Sequence, residues 1–269
     1  MSNPIQAEPA TFSKLKNYFS QLAMVAKFIG KTFREIFLFI KPPHEFDELS
    51  KQCFKIGNKS LVLVAITGFI MGLVLTIQSR PVLAEFGATS WLPAMVSISF
   101  IREIGPVITA LICAGKIGSG IGAEVGSMKV TEQIEAMEVS ATNPFKFIVA
   151  TRVIACSLMV PLLVLFSDAC GMFGSLTGIN IYGSMNMNLF FSQAIASLEF
   201  ADFFPAMIKS VLFGFVIGVV GCYQGFNAGR GTESVGTAAN SAVVISSMII
   251  FFVDLIVVQL TEVYNTLSN

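Results

Sequence analysis

The sequence predicts an all-α integral membrane protein, with an N-terminal amphipathic interfacial helix, five transmembrane helices and a short cytoplasmic helix between the second and third spans. Composition carries the class: 54% of the 269 residues are hydrophobic and only 13% are charged, with a mean hydropathy of +0.74, outside the balance of soluble globular domains. The five spans come from five apolar stretches long enough to cross a bilayer, at 60–79, 91–113, 147–177, 206–223 and 238–260; crossing takes about 20 predominantly apolar residues. The basic residues supply the topology. They gather before the first span, from Lys14 to Lys59, and between the second and third, at Lys116, Lys129, Lys146 and Arg152, whereas the stretch 180–202 holds none. The positive-inside rule then puts the N-terminus in the cytoplasm, together with 130–139 and 227–236, and the C-terminal 264–269 on the far side.

In chain order, the opening segment lacks the short apolar core and small-residue cleavage site of a signal peptide. It runs instead into a helical period in which Leu15, Phe19, Leu22, Val25, Ile29, Phe33, Ile36 and Ile40 recur every three or four residues, with Lys27, Lys31 and Arg34 on the opposite face. Such a helix is expected to lie along the membrane, lysines among headgroups and apolar face in the acyl boundary, or else to pack on a partner protein. The chain divides into an interfacial region, 1–59, and a transmembrane region, 60–269. The third apolar stretch exceeds a perpendicular crossing, so it tilts, kinks at Pro161 or extends beyond the bilayer. The far-side segment 181–204 is acidic and partly helical in pattern.

Several chemistries find no footing. Net charge is zero, so no electrostatic footprint for nucleic acid exists. The five cysteines, Cys53, Cys113, Cys156, Cys170 and Cys222, never reach a CxxC spacing, and the lone His44 stands beside Pro42 and Pro43 without a second ligand. Gly115, Gly118, Gly120, Gly122 and Gly126 suggest a phosphate loop at first sight, but no GxxxxGK[ST] occurs and Ile117 follows Gly115-Lys116. Small residues at this density suit close helix packing, as do Gly214, Gly218, Gly221 and Gly225 in the fourth span and Gly174 with Gly178 in the third.

The charged residues at membrane depth are the candidates for function. Arg102 and Glu103 sit inside the second span, Asp168 in the third, Lys209 in the fourth and Asp254 in the fifth; such groups are costly in lipid and mark either a pathway or buried pairs. Adjacent helical residues point about 100° apart, so Arg102 and Glu103 need partners on other helices. The pairs either fix the bundle's packing or form a polar patch able to meet a lipid phosphate through Arg102 or Lys209. Between the second and third spans, Glu132, Glu135 and Glu138 form one stripe and Val130, Ile134 and Met137 another, with both stripes presented to the cytoplasm. This reads as a short amphipathic helix that docks in a partner's groove and transmits its motion into the spans.

The segment REIGPVITALICAGKIGSGIGAEVGSMKVTEQIEAMEV, 102–139, resembles the signature of the MlaE family of ABC-transporter permeases. GFIMGLVLTIQ, FGSLTG, IKSVLFG and VDLIVVQL in the other spans support the likeness over nearly the whole chain. The resemblance implies a homodimeric permease in the bacterial inner membrane, its C-terminus periplasmic. It implies a separate ABC ATPase and an MCE-domain periplasmic lipid-binding protein as partners, and phospholipid as cargo moving between inner and outer membranes. It implies no enzyme activity and no cofactor in this chain, since ATP and Mg would be bound by the partner ATPase. Carried over by position, the coupling helix falls on Glu132, Gln133, Ile134, Glu135, Met137 and Glu138, and the charged cavity on Arg102, Glu103, Lys209 and Asp254. Apolar and polar positions of the substrate path fall on Gln78, Leu83 and Phe86. The rival reading is a self-contained secondary transporter or channel that uses the same four charged residues as an ion relay.

Overall fold

The computed structural model describes residues 10–39, 46–183 and 185–268. The side chains of Leu15, Phe19 and Leu22, together with Ile40, Pro42, Pro43 and His44, lie outside the described residues. Every regular element among the described residues is helical: α1 (Ala10–Phe39), α2 (Phe46–Glu85), α3 (Thr89–Val130), α4 (Gln133–Val139), α5 (Phe145–Tyr182), α6 (Met187–Ala196), α7 (Phe200–Phe226) and α8 (Thr232–Ser268). Five of them, α2, α3, α5, α7 and α8, are long and apolar enough to cross a membrane, matching the five expected spans. The chain is a multi-pass membrane protein.

Helix α5 is the centre of the bundle. Of its most apolar window 67% is buried, against 17% for α8, so α8 offers most of its apolar surface outward. The third span is one helix of 38 residues, about 57 Å long at 1.5 Å per residue against a ~30 Å hydrocarbon layer, in keeping with its expected excess length. Pro161 lies within the helix without ending it.

Small residues set how closely the spans approach. Ser175 Oγ donates to the Gly72 carbonyl across the α2–α5 contact at 3.2 Å. A Cβ on Gly72 would run into the Gly171 carbonyl, and one on Gly174 into the Phe69 carbonyl. Lipid tails are as apolar as the side chains, so this backbone-to-backbone packing, rather than release of water, holds such helices together. Gly214 meets α5 at the Cys156 carbonyl in the same way, and Gly122 faces the Ala238 carbonyl of α8. Around these crossings Val64, Cys113, Val125, Val153, Cys156, Val160, Phe213 and Ile217 form one buried core.

Helix α1 departs from the simple interfacial picture. Phe28, Ile29 and Ile36 pack on the main core, while Thr32 and Glu35 are buried. The Phe28 ring meets Phe145, Tyr223 and Phe226 at centroid distances of 4.9, 5.3 and 6.1 Å. Lys27, Lys31 and Arg34 are exposed as expected, and so are Phe33 and Phe37. The face that periodicity assigned to lipid is therefore shared between the protein's own bundle and the surroundings. Asn143 Nδ2, 3.4 Å from Glu35 Oε2, ties α1 to the turn before α5.

Candidate functional site

Two polar features stand at opposite ends of the bundle. At one end, α3 departs from regular winding where its charges fall: Phe100–Ile104 forms a π turn, in which the Gly105 N–H reaches back to the Phe100 carbonyl. Pro106 follows, without an N–H of its own to continue the ladder. Arg102 and Glu103 ride on this turn and point to different helices, as adjacent residues must. Arg102 Nη2 donates to Glu262 Oε1 at 2.6 Å, and its Nη1 stands 3.8 Å from Asp202 Oδ1. Glu103 Oε2 accepts from Lys209 Nζ at 2.6 Å, and Lys209 also donates to Asp254 Oδ1 at 3.0 Å.

The side chain of Lys209 is only 3% exposed, so the carboxylates of Glu103 and Asp254 are what make its charge tolerable in an apolar bundle. Four of the five membrane-depth charges singled out by sequence thus gather where α3, α7 and α8 meet, Asp168 being the exception. Asp202 and Glu262 join them, neither of which was among the expected partners. Asp202 opens α7 in a reciprocal cap with Glu199, and Glu262 belongs to a last helix that continues past the expected span to Ser268. Both partners lie at span ends, so Arg102 sits toward one edge of the bundle rather than at its middle. A cavity of about 20 Å³ opens beside Arg102, Glu103, Lys209 and Pro205, room for roughly one water molecule.

The other substrate-path positions stand apart from that cavity. Gln78 is exposed, Leu83 half-buried and Phe86 80% exposed at the end of α2, and none lines it. Asp168 is 7% exposed with Oδ1 unpartnered, directed at the backbone of Gly105.

At the opposite end, α4 is a seven-residue helix bracketed by two non-glycine residues in the left-handed region, Glu132 at φ 59° and Ala141 at φ 57°. Strained corners of this kind fix the path of a short element between two long ones. They also alter the expected stripes. Glu132 stands before the helix, so the acidic row is interrupted. Ile134 is 4% exposed and Met137 packs against the core, which corrects the expectation that both stripes face outward: the apolar row is taken out of water by this chain's own core. The outward face is Gln133, Ala136, Glu138 and Val139, the last 90% exposed. Lys129 hydrogen-bonds Glu135 and thereby holds its carboxyl below the usual carboxylate range. The α7–α8 connection lies at this same end, where Ala228 and Val235 pack on Gly126.

The sequence profile of the family described as Permease MlaE matches residues 49–260. The chain belongs to that family. Relatives of similar length agree. A probable ABC transporter permease protein of Rickettsia typhi is 37% identical over 230 residues, 85% of this chain and 88% of its own. One from Synechocystis is 36% identical over 201 residues, 75% of this chain and 76% of its own, and one from Porphyra purpurea is 34% identical over 196 residues, covering 73% and 74%. The protein is an ABC transporter permease of the MlaE family. The matched span of the MlaE permease begins inside α2 and ends before Glu262, so α1 and the Arg102 partner Glu262 both fall outside it.

Proposed function

We propose that this MlaE-family permease supplies the membrane path of an ATP-driven phospholipid transporter between the inner and outer membranes. It works as a homodimer in the inner membrane, with a separate ABC ATPase that binds ATP and Mg, and with an MCE-domain protein on the periplasmic side. The N-terminus and α4 face the cytoplasm; the Arg102 end and the C-terminus face the periplasm. The basic residues clustered around α1 and the start of α2 support that orientation.

The observation that carries the reading is the buried Lys209 bridged to Glu103 and Asp254, a polar patch in a bundle whose walls are apolar. Within one copy the adjoining cavity of about 20 Å³ is far smaller than the hundreds of Å³ a small-molecule site needs. A lipid path therefore requires a second copy, and the outward apolar face of α8, with Met248, Phe251, Phe252 and Leu255 all more than half exposed, is the surface to enclose it. Arg102, 36% exposed beside that patch, meets the phosphate, while apolar side chains take the acyl chains. At the other end, closure of the ATPase pair pushes on Gln133, Ala136 and Glu138. The buried Ile134 and Met137 pass that push into the core, and α3 carries it to the π turn bearing Arg102 and Glu103.

The test is affinity purification of the tagged chain from native membranes in mild detergent, with mass spectrometry of proteins and lipids. An ABC ATPase recovered together with phospholipid is the expected result. The chain recovered alone, with no ATPase even after cross-linking, would favour the self-contained transporter that uses the same charges as an ion relay.

A further inference from the structure

On the α4 side of the bundle, away from Arg102 and Lys209, a groove of about 190 Å³ lies between α2 and α3. Lys55, Lys59 and Lys116 stand around it, with Ser60, Gly120 and Glu124 in its wall. The charge there is unbalanced. Glu124 is shared between Lys55 and Arg152, with Arg152 Nη2 at 2.9 Å, and is the acidic side chain that lines the groove. Lys116 donates to the Lys59 backbone carbonyl, which leaves its charge uncompensated, and the Lys59 ammonium makes no hydrogen bond or ion pair among the described residues.

Two details of the wall bear on what the groove can take. Ser60 is 1% exposed, lines the groove, and its Oγ has no hydrogen-bond partner; a buried hydroxyl ordinarily finds one. Gly120 also lines it, and a Cβ built there meets nothing within 4 Å. By contrast Gly118, Gly122 and Gly126 of the same glycine-rich stretch each face a neighbouring helix. Helix packing thus accounts for those three; Gly115 and Gly120 both meet open space, and of the two Gly120 lines the groove.

Just beyond Ser60, α2 turns apolar, and Val62 and Ile66 are 64% and 54% exposed. A ligand with an anionic phosphate head and apolar tails fits this sequence of surfaces. Lysines at a membrane boundary attract anionic headgroups, ammonium groups bind phosphate as point charges, and the Ser60 hydroxyl supplies a donor. We propose that this groove binds the phosphate of an anionic phospholipid in the leaflet on the α4 side, at a site separate from the Arg102–Lys209 patch. The lipid clasps α2 to α3 close to where α3 leads into α4. The proposal is independent of what the transporter carries, because it rests on none of the residues of the proposed path.

The experiment places the full-length chain in phosphatidylcholine nanodiscs with a minor fraction of phosphatidylglycerol, and reads lipid retained per chain by native mass spectrometry. Phosphatidylglycerol is expected to be retained about tenfold over its share, since each boundary lysine contributes several-fold to anionic lipid attraction. Lys59→Gln combined with Lys116→Gln should bring that enrichment close to one. Gly120→Leu, which fills the groove and leaves every charge in place, should do the same. Equal retention of both lipids, or enrichment that survives both the lysine pair and Gly120→Leu, would overturn the proposal. So would displacement of the lipid by inorganic phosphate, which would make the groove a free-anion site, or enrichment lost in Arg102→Gln alone, which would put the lipid at the other end.

Discussion

Lys209 Nζ lies 2.6 Å from Glu103 Oε2, joining two spans whose charged residues stand 106 positions apart in the chain. With Asp254 at 3.0 Å on a third span, the one ammonium holds α3, α7 and α8 in a fixed relation. Removing a single member of such a group leaves buried charge behind.

Lys209→Met is therefore expected to be strongly destabilising, by about 3 kcal/mol and toward the lower end of what a broken buried pair costs, since Glu103 is 41% exposed. Thermal unfolding in detergent checks this. Adding Glu103→Gln and Asp254→Asn to Lys209→Met should recover most of the loss, and a triple variant no more stable than the single one would contradict the electrostatic account.

The two sides of α4 should separate stability from coupling. Ile134→Ala, in the core at 4% exposure, is expected to cost about 2–5 kcal/mol. Gln133→Ala with Glu138→Ala, both exposed, should leave the melting temperature unchanged and reduce recovery of the ATPase on purification. Full ATPase recovery from that double variant would remove α4 from the contact.

Close helix approach makes a contrast between two glycines. Gly72→Ala pushes a methyl into the Gly171 carbonyl and should destabilise by about 1–3 kcal/mol or prevent folding. Gly30→Ala, which meets nothing within 4 Å on α1, should be neutral or stabilising by up to about 1 kcal/mol. Yields and melting curves of the two variants, side by side, test whether backbone proximity sets the α2–α5 crossing.

Acid should loosen the connection between α3 and α4. The Lys129 hydrogen bond keeps Glu135 ionised below its ordinary range. A depressed carboxylate contributes its stabilisation above the unfolded pKa, near 4.3, and loses it as pH falls through the lower folded value. The protection of amides 133–139, taken as exchange relative to the intrinsic rate at each pH, should be flat from pH 7 to about 5 and fall below about 4; Glu135→Gln should abolish that acid-dependent step.

The spans and the grouping of Glu103, Lys209 and Asp254 were legible from the sequence because charge in lipid is costly and so few charges were present to satisfy one another. Asp202 and Glu262 were less so, since each sits where a span meets water and a charge there is unremarkable. Periodicity in α1 announced an apolar face at Ile29 and Ile36 without saying whether lipid or protein would cover it. The same limit applied to Ile134 and Met137, whose row was real but turned inward. The left-handed Glu132 that breaks the acidic stripe went unseen because no glycine or asparagine marks the corner. Gly120 could not be told from Gly118 or Gly122 by composition, as only the neighbouring helices distinguish a filled contact from an open one.

The π turn at Phe100–Ile104 gives α3 one surplus residue at the level of its charges. A turn of this kind and an ordinary α turn differ by a single residue per hydrogen-bonded loop, so the helix can absorb a small axial twist there without fraying at either end. Arg102 and Glu103 ride on that surplus residue. Rewinding it would turn one part of α3 about its axis relative to the other, carrying Arg102 and Glu103 round together.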